Sequence, residues 1–110
     1  MQPPDLMREI EGSEIAIVVF SQTYSESTWC LDELELIMEC NQTRGQIVLP
    51  VFYEIDPSDV RHQKGDFGKS LEQTTRRIYS REQQERTLSR WRLALNKAAS
   101  IGGWDVRDFR

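Results

Sequence analysis

The chain alternates between apolar and polar blocks, and the period of that alternation changes along it. Leu6, Met7 and Ile10 are spaced for one face of a short helix over Asp5 to Glu11, which Gly12 and Ser13 end. Ile15 to Phe20 is a continuous, mostly β-branched apolar run, the pattern of a strand covered on both faces in a parallel sheet. Ser21 to Thr28 is polar and reads as a loop running into a helix start. From Ser27 or Thr28 the helical period takes over. Cys30, Leu31, Leu34, Ile37 and Met38 form one stripe, and Asp32, Glu35 and Glu39 face away. Asn41 to Gln46, with Gly45, closes that helix.

Ile47 to Tyr53 predicts a second strand, with an edge or a bulge at Pro50 because proline cannot donate to a ladder. Glu54 to Val60 reads as a loop with Asp56-Pro57-Ser58 turn chemistry. Asp66 to Thr75 predicts a short helix, weakened by Gly65 and Gly68. Ser80 with Gln83 resembles a capping box. Leu88, Trp91, Leu95 and Ala98 then mark a long amphipathic helix, and Gly102-Gly103 stops it before a short strand at Trp104.

This order predicts an α/β fold with a parallel sheet and right-handed crossovers. Two convincing strands are too few to cover the apolar faces of so many helices. The pattern therefore predicts a sheet short of strands, either in a fragment or in a chain that partners complete.

Composition narrows the class. The 110 residues are 38% hydrophobic and 29% charged, which suits one soluble globular unit, taken here as residues 1–110. The apolar run at Ile15 is far too short to span a bilayer, and Gln2-Pro3-Pro4-Asp5 does not read as a signal peptide. Membrane-spanning, secreted and disulfide-scaffold classes are set aside, and the reading is intracellular. Cys30 and Cys40 lie on one predicted helix, roughly 15 Å apart at the helical rise, beyond disulfide reach. They read as buried small apolar residues, and with a single histidine, His62, they make a poor metal set.

Charge is unevenly placed. Residues 1–60 hold 12 acids and 2 bases, whereas residues 61–110 hold 6 acids and 12 bases. Solvated helix faces explain most such runs. The sharper reading is a molecule with an acidic and a basic half, able to pack head to tail on copies of itself. Nucleic-acid binding by the basic half is weakly signalled, since few aromatics interleave its arginines.

In open parallel sheets, ligands bind beyond the carboxyl ends of the strands. Here that rim carries Trp29 and Glu33, spaced i, i+4 on one helical face. A carboxylate beside an aromatic ring suits a cationic or oxocarbenium-like centre. From spacing alone Glu33 reads first as an ordinary acid of the helix start, Trp29 as core filler and Ser27 as an N-cap. No nucleophile triad and no glycine-rich phosphate loop is visible.

The run Ile10 to Ser21, continued by Tyr24, Ser27 and Trp29-Cys30-Leu31-Asp32-Glu33-Leu34, closely resembles plant TIR (Toll/interleukin-1 receptor-like) domains. Val48 to Tyr53, Asp56 to Arg61, Gly65 to Gly68, Trp91, Ala94, Leu95 and Gly102 to Asp105 extend the match over nearly the whole chain. The resemblance implies a flavodoxin-like parallel sheet with helices on both faces, here without the domain's N-terminal part. It implies cleavage of the nicotinamide–ribose bond of NAD, a substrate and not a bound cofactor. Glu33 would be the catalytic residue, with Trp29 and Ser27 lining the substrate pocket and no metal. The implied partners are other TIR domains and cytoplasmic NBS-LRR immune receptors. The alternative is an inactive truncated module that acts as adaptor or decoy. A phospho-acceptor receiver domain fits less well, because Tyr53-Glu54 occupies the strand end where an aspartate is needed.

Overall fold

The computed structural model describes residues 15–106. The helix expected over Asp5 to Glu11 lies outside them. The chain runs through strand β1 (Ile15–Phe20), a 3-10 turn (Gln22–Glu26) and helix α1 (Thr28–Arg44). Strand β2 (Ile47–Phe52), helices α2 (Pro57–His62), α3 (Gly65–Ile78) and α4 (Arg81–Ala99), and strand β3 (Trp104–Asp105) follow.

The sheet is parallel, in the order β1-β2-β3. β1 and β2 pair without a slip from Ile15 opposite Ile47 to Phe20 opposite Phe52. Strands laid down in chain order with right-handed crossovers put every connecting helix on the same face. The burial pattern obeys this. Val18, Phe20, Val48 and Phe52 are buried against Leu31, Leu34, Leu71, Trp91 and Leu95 of the helices. Ile15, Ile17, Val19, Ile47, Leu49 and Trp104 stay exposed, Ile17 at 66% and Trp104 at 74%. So the apolar run of β1 is covered on one face only among the described residues, not on two. A helix layer on this second face, which a flavodoxin-like domain requires, is not supplied by residues 15–106.

Pro50 sits in the middle strand without a bulge, opposite Val18. Alternation explains why it is tolerated. The Tyr53 N–H donates toward β1, to Phe20 (2.8 Å), so the Pro50 nitrogen faces β3. β3 pairs only with Val51 and Phe52, and no ladder bond is lost.

Local chemistry sets the helix ends. Ser27 caps α1 by accepting from the Cys30 N–H (3.2 Å), and Gly45 ends it at φ 68°. Asp56 accepts from the Ser58 N–H (2.8 Å) with Pro57 following, so the expected turn is instead the capped start of α2. The capping box expected at Ser80 does not form; Ser80 caps α4 without a side-chain bond. Gly68 lies where α3 crosses the end of α2. A Cβ there would stand 2.0 Å from the Gln63 carbonyl oxygen, so only glycine fits.

Candidate functional site

The carboxyl end of β1 runs directly into the 3-10 turn and then into α1, and these three elements build the rim. Phe20, the last residue of β1, is buried, and its ring lies 4.8 Å from that of Tyr24. The Tyr24 hydroxyl donates to the Cys30 carbonyl (3.0 Å) in the first turn of α1. Burial pushes the Tyr24 phenol well above its ordinary value, and the neighbouring Cys30 and Glu33 side chains add to that. It therefore stays a proton donor at neutral pH.

On this frame Trp29 and Glu33 stand one turn apart. The Trp29 indole N–H donates to the Glu33 carboxylate. Trp29 is 37% exposed and Glu33 is half-buried, so neither is core filler. Ser27 precedes them as the N-cap of α1, and its oxygen accepts the capping bond. The hydroxyl proton of Ser27 is not used in that bond and is free to donate outward. Trp29 and Glu33 are thus in contact in the first turns of α1, and Ser27 is the N-cap of the same helix.

Behind the pair, Asp32 and Glu35 turn toward α4 and are half-buried. Asp32 accepts from the Trp91 indole N–H (3.2 Å), and Glu35 pairs with Arg90 (3.3 Å). Burial raises the Glu35 pKa, and Arg90 offsets part of the rise. The helical wheel placed these acids at the solvated back because it carries no information about where α4 packs. Cys40 is buried, Cys30 is half-buried, and both are free thiols. Among the described residues no group of three or more His, Cys, Asp or Glu side chains is placed to hold a metal ion.

Four clefts open elsewhere. One of about 500 Å³ lies along Gly103 to Val106, and one of about 100 Å³ lies between Ile17, Leu49 and Trp104 on the bare sheet face. One of about 160 Å³ follows the α1–α4 seam. The fourth, of about 390 Å³, lies between α3 and α4 and is lined by Arg76, Arg81 and Arg92 with Glu72 and Glu85. None of the four is lined by Trp29 or Glu33. The pair forms a polar edge at the rim, able to face a sugar or a developing cation.

Residues that the pattern of the sequence did not single out support this edge. Tyr24 fixes the first turn of α1. Ser25 is fully buried, and Thr74 on α3 reaches it through a hydrogen bond of 2.8 Å. Tyr24 was visible only as part of the family resemblance, and Thr74 only as a threonine inside a helix stripe.

Comparison with known proteins gives a consistent result. The family described as "TIR domain" matches residues 2–110. The disease resistance protein TAO1 of Arabidopsis thaliana is 48% identical over 106 residues, which is 96% of this chain and 8% of that protein. The TMV resistance protein N of Nicotiana glutinosa is 46% identical over 107 residues, 96% of this chain and 9% of that protein. The chain therefore spans less than a tenth of the length of these relatives. Among solved structures, the TIR domains of the activated Roq1 resistosome, which directly recognizes the pathogen effector XopQ, superpose with a TM-score of 0.84 at 41% identity. That match covers 97% of this chain and 63% of the other. A β1-β2-β3 parallel sheet backed by crossover helices, joined to this extent of similarity, places the chain in the TIR domain family.

Proposed function

We propose that this chain is a TIR module of plant innate immune signalling that cleaves the nicotinamide–ribose bond of NAD once it is assembled with further TIR chains. The observation that carries the reading is the hydrogen-bonded Trp29–Glu33 pair at the carboxyl end of a parallel sheet, where ligands of such sheets bind. In the proposed reaction the bond between ribose C1′ and the pyridinium nitrogen breaks, and its electron pair leaves with neutral nicotinamide. Positive charge develops on the ribose, and the Glu33 carboxylate stabilises it. The Trp29 N–H holds that carboxylate in place, and the Ser27 hydroxyl donates to the sugar. Water adds at C1′ and a proton is released, leaving ADP-ribose.

Assembly belongs to the proposal for two reasons. Trp29 of the pair is exposed at the rim, and one apolar sheet face lies open among the described residues. A pocket closed by neighbouring protein excludes water and strengthens every charge interaction inside it. No helix among the described residues is long and apolar enough to cross a membrane. The cytoplasmic setting of the proposal rests on the resemblance to NBS-LRR immune receptors.

A second reading rests on the arginine-lined α3–α4 groove. Arg81 has no ion-pair partner among the described residues, whereas Arg76 and Arg92 share Glu72. This groove suits the acidic rim of another TIR domain, whose Glu26, Glu54, Asp56 and Asp59 equivalents would face it. On that reading the chain acts as an adaptor or decoy within NBS-LRR receptor assemblies, without turnover.

One titration separates the two. Nicotinamide release from NAD is followed over a range of protein concentrations at low and high salt. The enzymatic reading expects release that rises more steeply than protein concentration. Concentration-dependent association without any release supports the adaptor reading and removes the enzymatic one.

A further inference from the structure

Thr74 is buried in α3, and its Oγ1 lies 2.8 Å from two carbonyl oxygens, those of Ser70 and Ser25. The Ser70 contact is the ordinary back-bond of a helical threonine to the residue four before it. The Ser25 contact crosses 49 residues of sequence and ends inside the 3-10 turn that feeds α1. A hydroxyl has one proton, so the two carbonyls share a single donor.

The turn that Thr74 reaches also packs on the core through Tyr24, and its backbone hydrogen bonds are local. The Tyr24 N–H donates to Ser21 (3.1 Å), and the Ser27 N–H donates to Tyr24 (3.3 Å). From this turn and its cap, two side-chain contacts run forward into α1. The Tyr24 hydroxyl donates to the Cys30 carbonyl, and Ser27 accepts from the Cys30 N–H. Both converge on the residue beside Trp29 and one turn before Glu33. A displaced turn therefore moves both anchors of the first turn of α1, and with them the indole.

We propose that Thr74 is a positioning residue for the Trp29–Glu33 pair, acting through the Ser25 carbonyl, the 3-10 turn and Tyr24. The proposal takes that pair as the site, as read above, but its first test does not depend on turnover. It also links the site to α3, the helix whose outer face carries Glu72 and Arg76 at the arginine groove. An event at that groove would then be felt at the rim through one buried hydroxyl.

Thr75 is the matched control. It is as buried as Thr74 and sits on the same helix, but its hydroxyl donates to Glu72 of its own helix (2.7 Å). The experiment compares Thr74→Val, Thr74→Ser and Thr75→Val in the 15N-labelled 110-residue chain. The readout is the Trp29 indole N–H resonance, assigned by its loss in Trp29→Phe. Thr74→Val shifts that resonance and speeds its exchange with solvent at least tenfold, whereas Thr74→Ser and Thr75→Val leave it in place. In the assembled protein Thr74→Val lowers the kcat for nicotinamide release at least tenfold, and Thr74→Ser restores it. The proposal is overturned if Thr74→Val leaves the Trp29 signal unmoved, or if Thr75→Val moves it equally. Should Thr74→Val fail to fold, Tyr24→Phe takes its place, because it cuts the same path one residue from Ser25; an unmoved Trp29 signal there overturns the proposal as well. A shifted signal with no turnover in any variant leaves the positioning role standing and removes the enzymatic reading.

Discussion

The Trp91 indole N–H donates to the Asp32 carboxylate across 3.2 Å, and this bond ties α4 to α1 directly behind the Trp29–Glu33 edge. Trp91 is fully buried, its ring edge-on to Tyr79 with centroids 5.9 Å apart. One helix thus sends neighbouring acids in opposite directions, Asp32 inward to a structural indole and Glu33 outward to an exposed one.

Removing the acceptor breaks this bond, with the Glu35 carboxylate still beside the Trp91 N–H. Asp32→Ala is expected to cost about 1.5–3 kcal/mol in urea unfolding, the contribution of a hydrogen bond to a charged acceptor. Asp32→Asn keeps an oxygen in place and recovers most of that loss. Equal stability in all three proteins would mean that the bond contributes nothing.

Adjacent residues of β1 should respond oppositely to a charge. Ile17 is 66% exposed on the bare face and Val18 is 4% exposed in the core. Ile17→Lys should stay within about 0.5 kcal/mol of wild type, as surface substitutions do, and should reduce binding of an apolar dye. Val18→Lys buries an unpaired ammonium and should prevent folding. A large destabilisation by Ile17→Lys would mean that the face is covered in solution.

This contrast shows what the sequence could and could not reveal. The limits of β1, the Ser27 cap and the Gly45 stop were legible, because each rests on local chemistry. Which face of β1 is covered was not legible, since a run of Ile, Ala, Val and Phe carries no alternation to mark it. The inward turn of Asp32 and Glu35, and the Thr74–Ser25 bond, depend on where α3 and α4 pack. Such long-range placement is invisible to a helical wheel. Trp29 and Glu33 were found by spacing, and the roles proposed for them come from the family resemblance.

Gly68 tests the α2–α3 junction. A methyl group added there would clash with the backbone carbonyl of Gln63 at 2.0 Å, and no flexible side chain can yield to relieve it. Gly68→Ala should therefore destabilise the fold by more than about 2 kcal/mol despite the better helix propensity of alanine. Gly102, with open space around it, is the control, and Gly102→Ala should be nearly neutral. Equal thermal midpoints for the two variants would show that the junction yields.

Glu35 predicts a pH dependence. Burial raises its folded pKa above the ordinary value, so the native state binds this proton more tightly than the unfolded chain does. Protonation therefore stabilises the fold. As pH rises from the ordinary value of about 4.5 through the higher native one, wild type should lose stability relative to Glu35→Gln, and the deficit should then stay constant. Denaturant midpoints between pH 4 and 8 read this directly. A wild type that gains on the variant with rising pH would mean that the Arg90 pair outweighs burial.

The most direct test of the central claim is nicotinamide release from NAD by the assembled protein, wild type against Glu33→Ala, with circular dichroism confirming equal folding. Loss of a carboxylate that stabilises the developing ribose cation should lower the rate about 100-fold or more. Turnover by Glu33→Ala at the wild-type rate would contradict the account.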